Sequence, residues 1–363
     1  MRIAIFTELY YPSVGGQEIF FAGLARALIR RGHQLDVYCV GHERGLPLRE
    51  ILDKVVVHRF PIVPGYKKPL VRAMKRNWRA IVRFAWRVRG VARTREHDAY
   101  LLNQWPFLHA AVLPAYASRR ALLHWCEVRH SFFFRAIQRR LPRRIRLNAA
   151  ISDAVGAQIC SASGRAVLTL PSGLDLNHSS YLERSRRSDI VALGRVAPHK
   201  NLGLLIEAFE ILKAEGYAGR LKIAGDGPDM AALGKRVNAS SVKLDIDLLG
   251  FISDETKFNL LATCEVLAMP SKREGFPHVV SEAMCCGLPI VTADYPQNGT
   301  KTVVQSFKSG VVTAPDPKSF ADGIRGALSN WEAYSSNGRS GSAGLDWNEI
   351  AKGLEVTLMQ VIE

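Results

Sequence analysis

The sequence has no long apolar run. Its longest, such as VLAMP (266–270) and HAAVLPAYA (109–117), stop well short of the ~20 residues a membrane-spanning helix needs, so no span is expected. The start, MRIAIF, reads as a strand and lacks the apolar core and small-residue cleavage site of a secretory leader. Paired cysteines are missing too. The six at 39, 126, 160, 264, 285 and 286 form no C-x-x-C, and four sit in apolar surroundings. Disulfides and structural zinc are therefore not expected, and the chain reads as cytoplasmic. No G-x-G-x-x-G follows the first strand, and no acid ends the second, HQLDVYCV (33–40). Both absences argue against a dinucleotide-dependent oxidoreductase. Acids are scarce in one stretch: between 66 and 97 only Glu96 offsets a dense run of Lys and Arg before Asp98.

What is present is a chain of 363 residues, 47% hydrophobic and 23% charged. That suggests roughly two globular domains with sizeable cores. The net charge of +16 asks for an anionic partner: nucleic acid, an anionic membrane or a phosphorylated ligand.

The first forty residues read as strand, loop, helix, strand. RIAIFT is followed by the loop ELYYPSVGG and by QEIFFAGLARALIRRG, whose apolar residues recur at helical spacing up to Gly32. Further strands are expected at KVVVHRF, AYLLNQ, ALLHW, LNAAIS and AVLTLPS, which predicts an α/β domain wound on a parallel sheet. LNHSSYLERSRRSD (176–189) is polar and aperiodic and reads as a linker. Strand–helix alternation then restarts at IVALGRV and runs through NLGLLIEAFEILKAEG, RLKIAGDG, PDMAALGKRVNAS, VKLDIDLLGF, DETKFNLLATC, EVLAMPS, HVVSEAMCCG and PIVTAD. The expected domains are 1–176 and 177–345, both Rossmann-like. The terminal helix, GLDWNEIAKGLEVTLMQVIE, is expected to bring 346–363 back toward the first.

Ligands of open parallel sheets bind beyond the carboxyl ends of the strands. Three such loops carry chemistry here: GRVAPHKN places Arg195 and Lys200 after a strand, GDGPD offers backbone N–H groups at a helix start, and SKREGFPH leads into the helix bearing Glu282. Cations and helix N-termini favour phosphate, and carboxylates accept from sugar hydroxyls, so a nucleotide-sugar satisfies both. Taken singly, each piece has a plain alternative. An acid early in a helix favours the helix dipole, a lone loop cation is solvated, GDGP is a turn, and PSVGG is only a loop. Asp245 and Asp247 in LDIDL have the spacing of metal-binding carboxylates but alternate with apolar residues as in an ordinary strand, so no metal is expected.

Jointly and in order, PSVGGQE, PSGLD, GRVAPHK, AGDGP, LGF, PSKREGFPHVVSEAMCCGLPIV and DWNEIA resemble glycosyltransferase family 4, retaining enzymes of the two-domain GT-B fold with an E-x7-E motif. The resemblance spans nearly the whole chain. It implies two Rossmann-like domains facing each other across a cleft, a nucleotide-sugar donor, no metal and no cofactor. It also implies that Glu274 contacts the donor sugar, that Glu282 binds the ribose hydroxyls, and that Arg195 and Lys200 hold the diphosphate and stabilise the leaving group. Gly15, Gly16, Gly194, Gly225, Gly227, Phe251, Gly275, Phe276 and Pro277 are implied around the donor. His124, at the end of ALLHW, is the positional match for a histidine near the reacting carbon. His130 is the weaker choice, and His109 reads as a packing residue. No protein nucleophile is implied, since the leaving phosphate itself helps deprotonate the acceptor. Ser172 replaces the usual Asn, and Lys200-Asn201 the usual Lys-Gly; neither removes a charge from the site.

The positive charge concentrates in 66–97. At 100° per residue, Arg72, Arg76, Arg79, Arg83 and Arg87 share one helical face, and Val71, Met74, Trp78, Ile81, Ala85 and Val88 the opposite one. A second cluster at 131–147 joins Phe132, Phe133 and Phe134 to six arginines from Arg135 to Arg146. A solvated Arg face on a docked helix is the plain reading. So many unbalanced charges favour an anionic membrane surface. Together with that charge, the resemblance implies a glycan or lipid-linked acceptor, as in bacterial polysaccharide or lipopolysaccharide synthesis. Nucleic acid is not expected as a partner, because no recognised binding motif accompanies the charge. An idle glycosyltransferase-like subunit is the other alternative, against which the intact Arg195, Lys200, Glu274 and Glu282 speak.

Overall fold

The computed structural model describes residues 1–13, 15–66, 77–128, 131–174, 181–275 and 278–362. They form two compact units, Met1–Gly173 with Trp347–Glu363, and Leu174–Asp346.

The first unit carries strands β1 (Arg2–Phe6), β2 (Gln34–Gly41), β3 (Arg49–Leu52), β4 (Val55–Ile62), β5 (Ala99–Asn103), β6 (Ala121–Trp125), β7 (Leu147–Ala150) and β8 (Leu168–Thr169). Their order is β3-β4-β2-β1-β5-β6-β7-β8, with β3 antiparallel to β4 and the rest parallel. From β4 to β7 this is the 3-2-1-4-5-6 winding of a Rossmann-like sheet, reversing between β1 and β5. The connecting helices are α1 (Gly16–Arg30), α2 (Trp78–Thr94), the short α3 (Leu108–Ala111) and α4 (Ala115–Arg119), α5 (Phe132–Arg144) and α6 (Asp153–Ser163). Alternate strand residues face alternate sides. Phe6, Tyr100, Leu102 and Leu123 meet Ile81, Phe84 and Val88 of α2 and Leu141 of α5 in one core. Burying each such side chain contributes roughly 1.5–3 kcal/mol.

The last helix, α14 (Trp347–Ile362), packs on α1. Trp347 lies over two glycines: a Cβ at Gly23 or Gly173 would come within 2.3 or 2.4 Å of its ring. Beneath the sheet's amino edge, Asp36 is almost sealed and holds three partners. Arg2 Nε donates to it at 2.9 Å, and the Nε2 atoms of His58 and His97 lie 3.0 and 3.1 Å away. Burial pushes this carboxyl up, but hydrogen bonds with His58, His97 and Arg2 together carry it well below the usual carboxylate range.

The second unit has six parallel strands: β9 (Ile190–Leu193), β10 (Leu221–Ala224), β11 (Ile246–Gly250), β12 (Val266–Met269), β14 (Ile290–Ala293) and β16 (Gly310–Thr313). The order β11-β10-β9-β12-β14-β16 is again 3-2-1-4-5-6, reversing between β9 and β12. Helices α7 (Leu202–Ala214), α8 (Met230–Asn238), α9 (Asp254–Thr263), α10 (His278–Cys285), α11 (Gly299–Phe307), α12 (Pro317–Ser329) and α13 (Trp331–Ser342) connect and cover it. Ile190 and Ala192 share a core with α7 and α12, while Val191 and Leu193 share one with α9 and α10. A separate two-stranded piece pairs β13 (Arg273–Glu274) with β15 (Gln297–Asn298).

The stretch expected to be a linker is only partly one. Residues 175–180 lie outside the described residues, but Arg187 is buried in the second unit. Its guanidinium donates to the carbonyls of Leu182, Leu261, Cys264 and Cys286 and lies 5.0 Å from the Trp331 ring. A polar residue in an aperiodic segment here closes loop and helix-end carbonyls that packing would otherwise strand.

Candidate active site

At the reversal point of the second unit, a pocket opens beyond β9, β10 and β12, lined by Gly194, Arg195, Lys200, Ala224, Met269 and Ser271 among others. Gly194 has φ +131, a region side chains rarely adopt, and a Cβ there would lie 3.3 Å from Lys200 Nζ. Arg195 is exposed and makes no ion pair with the described residues. Lys200 reaches across to Glu274, with Nζ 2.5 Å from Oε1 and both side chains largely covered. His199, beside them, has its pKa lowered, first by burial and then by the charge of Lys200.

Glu274 stands on a strand rather than in a loop. Register pairs it with Asn298, whose side chain donates to Thr292 Oγ1 and the Ala293 carbonyl and accepts from Thr300 N at the start of α11. Lys272 N donates to the His199 carbonyl at 2.7 Å, tying the loop before β13 to the one carrying Lys200. Gly275 follows, and a side chain at Gly299 would strike its carbonyl oxygen at 2.0 Å. Phe276 and Pro277 lie outside the described residues.

Glu282 is on α10 and largely covered. Its Oε1 lies 2.8 Å from the Nζ of Lys257 on α9, which also reaches Asp254 at 2.9 Å. Burial pushes the Glu282 carboxyl up and Lys257 pulls it back only in part, so the pKa stays raised. Burial opposes the charge of Lys257, but Glu282 and Asp254 more than offset it, and its pKa is raised as well.

The loop GDGPD corrects one expectation. Gly225 N donates to the Gly250 carbonyl and Gly227 N to Asp226 Oδ1, so these two N–H groups are already occupied. The glycines are needed for a different reason. A Cβ at Gly225 would meet the Gly194 oxygen at 1.8 Å, and one at Gly227 the Val196 oxygen at 2.1 Å. They let the loop after β10 lie against the loop that holds Arg195. Phe251, just beyond β11, is 87% exposed. Asp247 is clasped by Arg220 through two hydrogen bonds of 2.9 and 2.6 Å, and Asp245 pairs with Lys213, so both acids serve ion pairs.

In the first unit, Gly15 caps α1 in an extended conformation that any residue adopts. A side chain there would meet only the flexible Glu18, and one at Gly16 would meet nothing within 4 Å. No neighbouring backbone demands either glycine. His124 must be corrected. It is fully buried, stacked on Phe20 at 4.0 Å, with Nε2 2.9 Å from the Leu170 carbonyl and Nδ1 3.4 Å from Cys126 Sγ. Burial pushes its pKa down to about 4. A strand-end histidine satisfied in this way packs the fold and presents nothing to a ligand. His130 lies outside the described residues, and His109 is buried against Phe84. Sequence reading missed Gln104, at the end of β5. Its Oε1 accepts from Cys126 N and Glu127 N, and its Nε2 donates to the Glu127 carbonyl, shaping the loop after β6. A polar residue directly after an apolar strand was the available signal.

Arg72 and Arg76 lie outside the described residues. Arg79, Arg83 and Arg87 are exposed on α2, while Ala80, Ile81, Phe84, Ala85 and Val88 are buried. Trp78, expected on the buried side, is 43% exposed, and Trp86 is 64% exposed. The buried seam of α2, Ala80, Ile81, Phe84, Ala85, Val88 and Ala92, leaves both indoles outside it. On α5, Phe132 and Phe133 are likewise exposed, next to Arg135, Arg139 and Arg140.

Comparison with known proteins decides the family. Residues 14–178 match the sequence family Glycosyltransferase Family 4, and residues 175–342 match Glycosyl transferases group 1. The chain belongs to the family 4 type of glycosyltransferase. This glycosyltransferase is 25% identical to an uncharacterized glycosyltransferase of Methanocaldococcus jannaschii, over 91% of this chain and 90% of that one. It is 24% identical to the GDP-mannose:cellobiosyl-diphosphopolyprenol alpha-mannosyltransferase of Komagataeibacter xylinus, over 90% and 83%. Among solved structures it is similar to Anabaena HepE in complex with UDP, with TM-score 0.75 and 19% identity, over 99% and 100% of the chains. That likeness establishes the GT-B fold of the glycosyltransferase.

Proposed function

We propose that this glycosyltransferase is retaining and metal-independent. It moves a hexose-type sugar from a UDP-, GDP- or ADP-linked donor to a glycan or lipid-linked acceptor, in bacterial cell-surface polysaccharide or lipopolysaccharide synthesis. One observation carries the reading: Arg195 and Lys200 line a pocket at the reversal point of the second sheet, with the Glu274 carboxylate against Lys200. A diphosphate takes the place of that carboxylate on Lys200 and gains Arg195, which has no ion pair among the described residues. Glu274 is then free to accept from the transferred sugar, and Glu282 accepts from the ribose. In the reaction the bond from the anomeric carbon to the phosphate oxygen breaks, and the acceptor oxygen bonds on the same face. The acceptor proton passes to the departing phosphate, whose growing charge Arg195 and Lys200 stabilise. His124 has no part in this. The relative from Komagataeibacter xylinus is named for a GDP-mannose donor and a polyprenol-linked acceptor, and HepE was solved with UDP; both support a nucleotide-sugar donor. The exposed arginines and aromatics of α2 and α5 support a peripheral place on the anionic inner face of the cell membrane. No helix among the described residues is long and apolar enough to cross one.

The test is a thermal-shift screen of nucleotide-sugars followed by a transfer assay with the donor that raises the melting temperature most. Lys200→Ala and Glu274→Ala should each cut transfer at least ~100-fold, the scale of losing one preorganised electrostatic contact. Full activity in both variants refutes the pocket assignment. Product anomericity tests retention, and transfer after exhaustive chelation tests metal independence.

A further inference from the structure

Glu282 and Lys257 are held in an arrangement that a surface ion pair does not need. Glu282 Oε1 is fixed by Lys257 at 2.8 Å. Its Oε2 makes no hydrogen bond to any described residue, yet is not among the sealed polar atoms, so it remains open to a ligand. Lys257 is itself tethered. Its ammonium donates to Asp254, one turn earlier on α9, and lies 4.8 Å from the Phe258 ring. The side chains of Lys257 and Glu282 are mostly covered, whereas Asp254 is open to solvent. An acid in such cover is costly to ionise alone, and a neutral carboxyl is a poor acceptor for hydroxyl donors.

We propose that Lys257 is a positioning residue for the donor's ribose: it keeps the Glu282 carboxylate ionised and aimed, so that the open oxygen accepts from the vicinal ribose hydroxyls. The inference rests on the reading of Glu282 given above, and it goes beyond it in assigning a role to a residue of another helix, Lys257 on α9. The tether to Asp254 stops the ammonium from following the ligand. The single fixed oxygen leaves the other in a defined direction.

The test measures binding of UDP, GDP and ADP to the full chain by calorimetry, takes the tightest, and compares it with its 2′,3′-dideoxy form. The wild type should prefer the ribose form by about tenfold to a hundredfold, as expected for hydrogen bonds to a charged group. Glu282→Gln should abolish most of that preference. Lys257→Met should abolish it to a similar degree, with the dideoxy form bound nearly as in the wild type, and Lys257→Arg should restore it. A preference retained in Lys257→Met but lost in Glu282→Gln overturns the role of Lys257 and leaves the ribose reading standing. If the wild type shows no preference, or Glu282→Gln keeps it, the ribose reading fails and this inference with it. Should Lys257→Met not fold, Lys257→Gln takes its place, and the same ratio decides. A merely structural ion pair would weaken both nucleotides equally and leave the ratio unchanged.

Discussion

Asp36 is a buried carboxylate through which acid should act on the first unit. Its pKa is depressed by partners on three segments of chain, so its contribution to stability is fully present above the unfolded carboxyl pKa of about 3.9. That contribution is lost as the pH falls from there toward the lowered folded value. Asp36→Asn should therefore cost about 3 kcal/mol near neutrality, because it leaves Arg2 without its counter-charge and removes the shared hydrogen-bond partner of His58 and His97. The penalty should shrink as the buffer is taken below pH 4, and urea unfolding at several pH values measures it. A penalty that stays constant down to pH 3 would mean that Asp36 acts through packing alone. At Glu282 of the candidate site the sign is reversed. Glu282 is raised, so its carboxyl gains a proton at a higher pH than an ordinary glutamate does.

Helices and strands differ in how openly the sequence announces them. Strands buried on both faces, such as β1, β9 and β12, are continuous apolar runs ending in Gly- or Pro-bearing loops, and they were legible with the Arg195, Lys200 and Glu274 loops at their carboxyl ends. The two-residue strands β13 and β15 were not, because two residues carry no period; Asn298 is fixed beside Glu274 by side-chain hydrogen bonds to Thr292, Ala293 and Thr300. The same holds for β3, an exposed edge strand whose Ile51 faces solvent. His124 misled because its neighbours in sequence are those of a site, whereas its burial depends on Phe20 and Leu170 from distant segments. Trp78 misled because a helical wheel cannot show that Ala80, Ile81, Phe84, Ala85, Val88 and Ala92 dock α2 without it. Two predictions belong to this scale. Trp347→Ala removes the ring seated over Gly23 and Gly173 and should cost about 3–5 kcal/mol, seen as a lower urea midpoint. Replacing Arg79, Arg83 and Arg87 together by Glu should release the protein from anionic vesicles in a sedimentation assay at low salt, at roughly 1 kcal/mol per basic residue removed. If the parent does not pellet with such vesicles and come off in salt, the membrane role is wrong.

At the scale of the whole molecule, the two units share one winding but differ in continuity. The second runs unbroken from Leu174 to Asp346, and its own ends are joined where Leu174 N donates to the Leu345 carbonyl at 2.7 Å. A fragment comprising 174–346 should therefore fold alone, with its melting temperature raised by the nucleotide that stabilises the full chain. A fragment that is unfolded by circular dichroism would refute this. The first unit is split, and the groove between Gly23 and Gly173 is filled by a residue lying 174 positions beyond the second glycine. On the ribosome, that groove must wait while the entire second unit is synthesised. The second unit can thus be finished first, although it is encoded second, and the unit that opens the chain stays incomplete, with Phe20 and Trp347 still apart, until the last helix emerges.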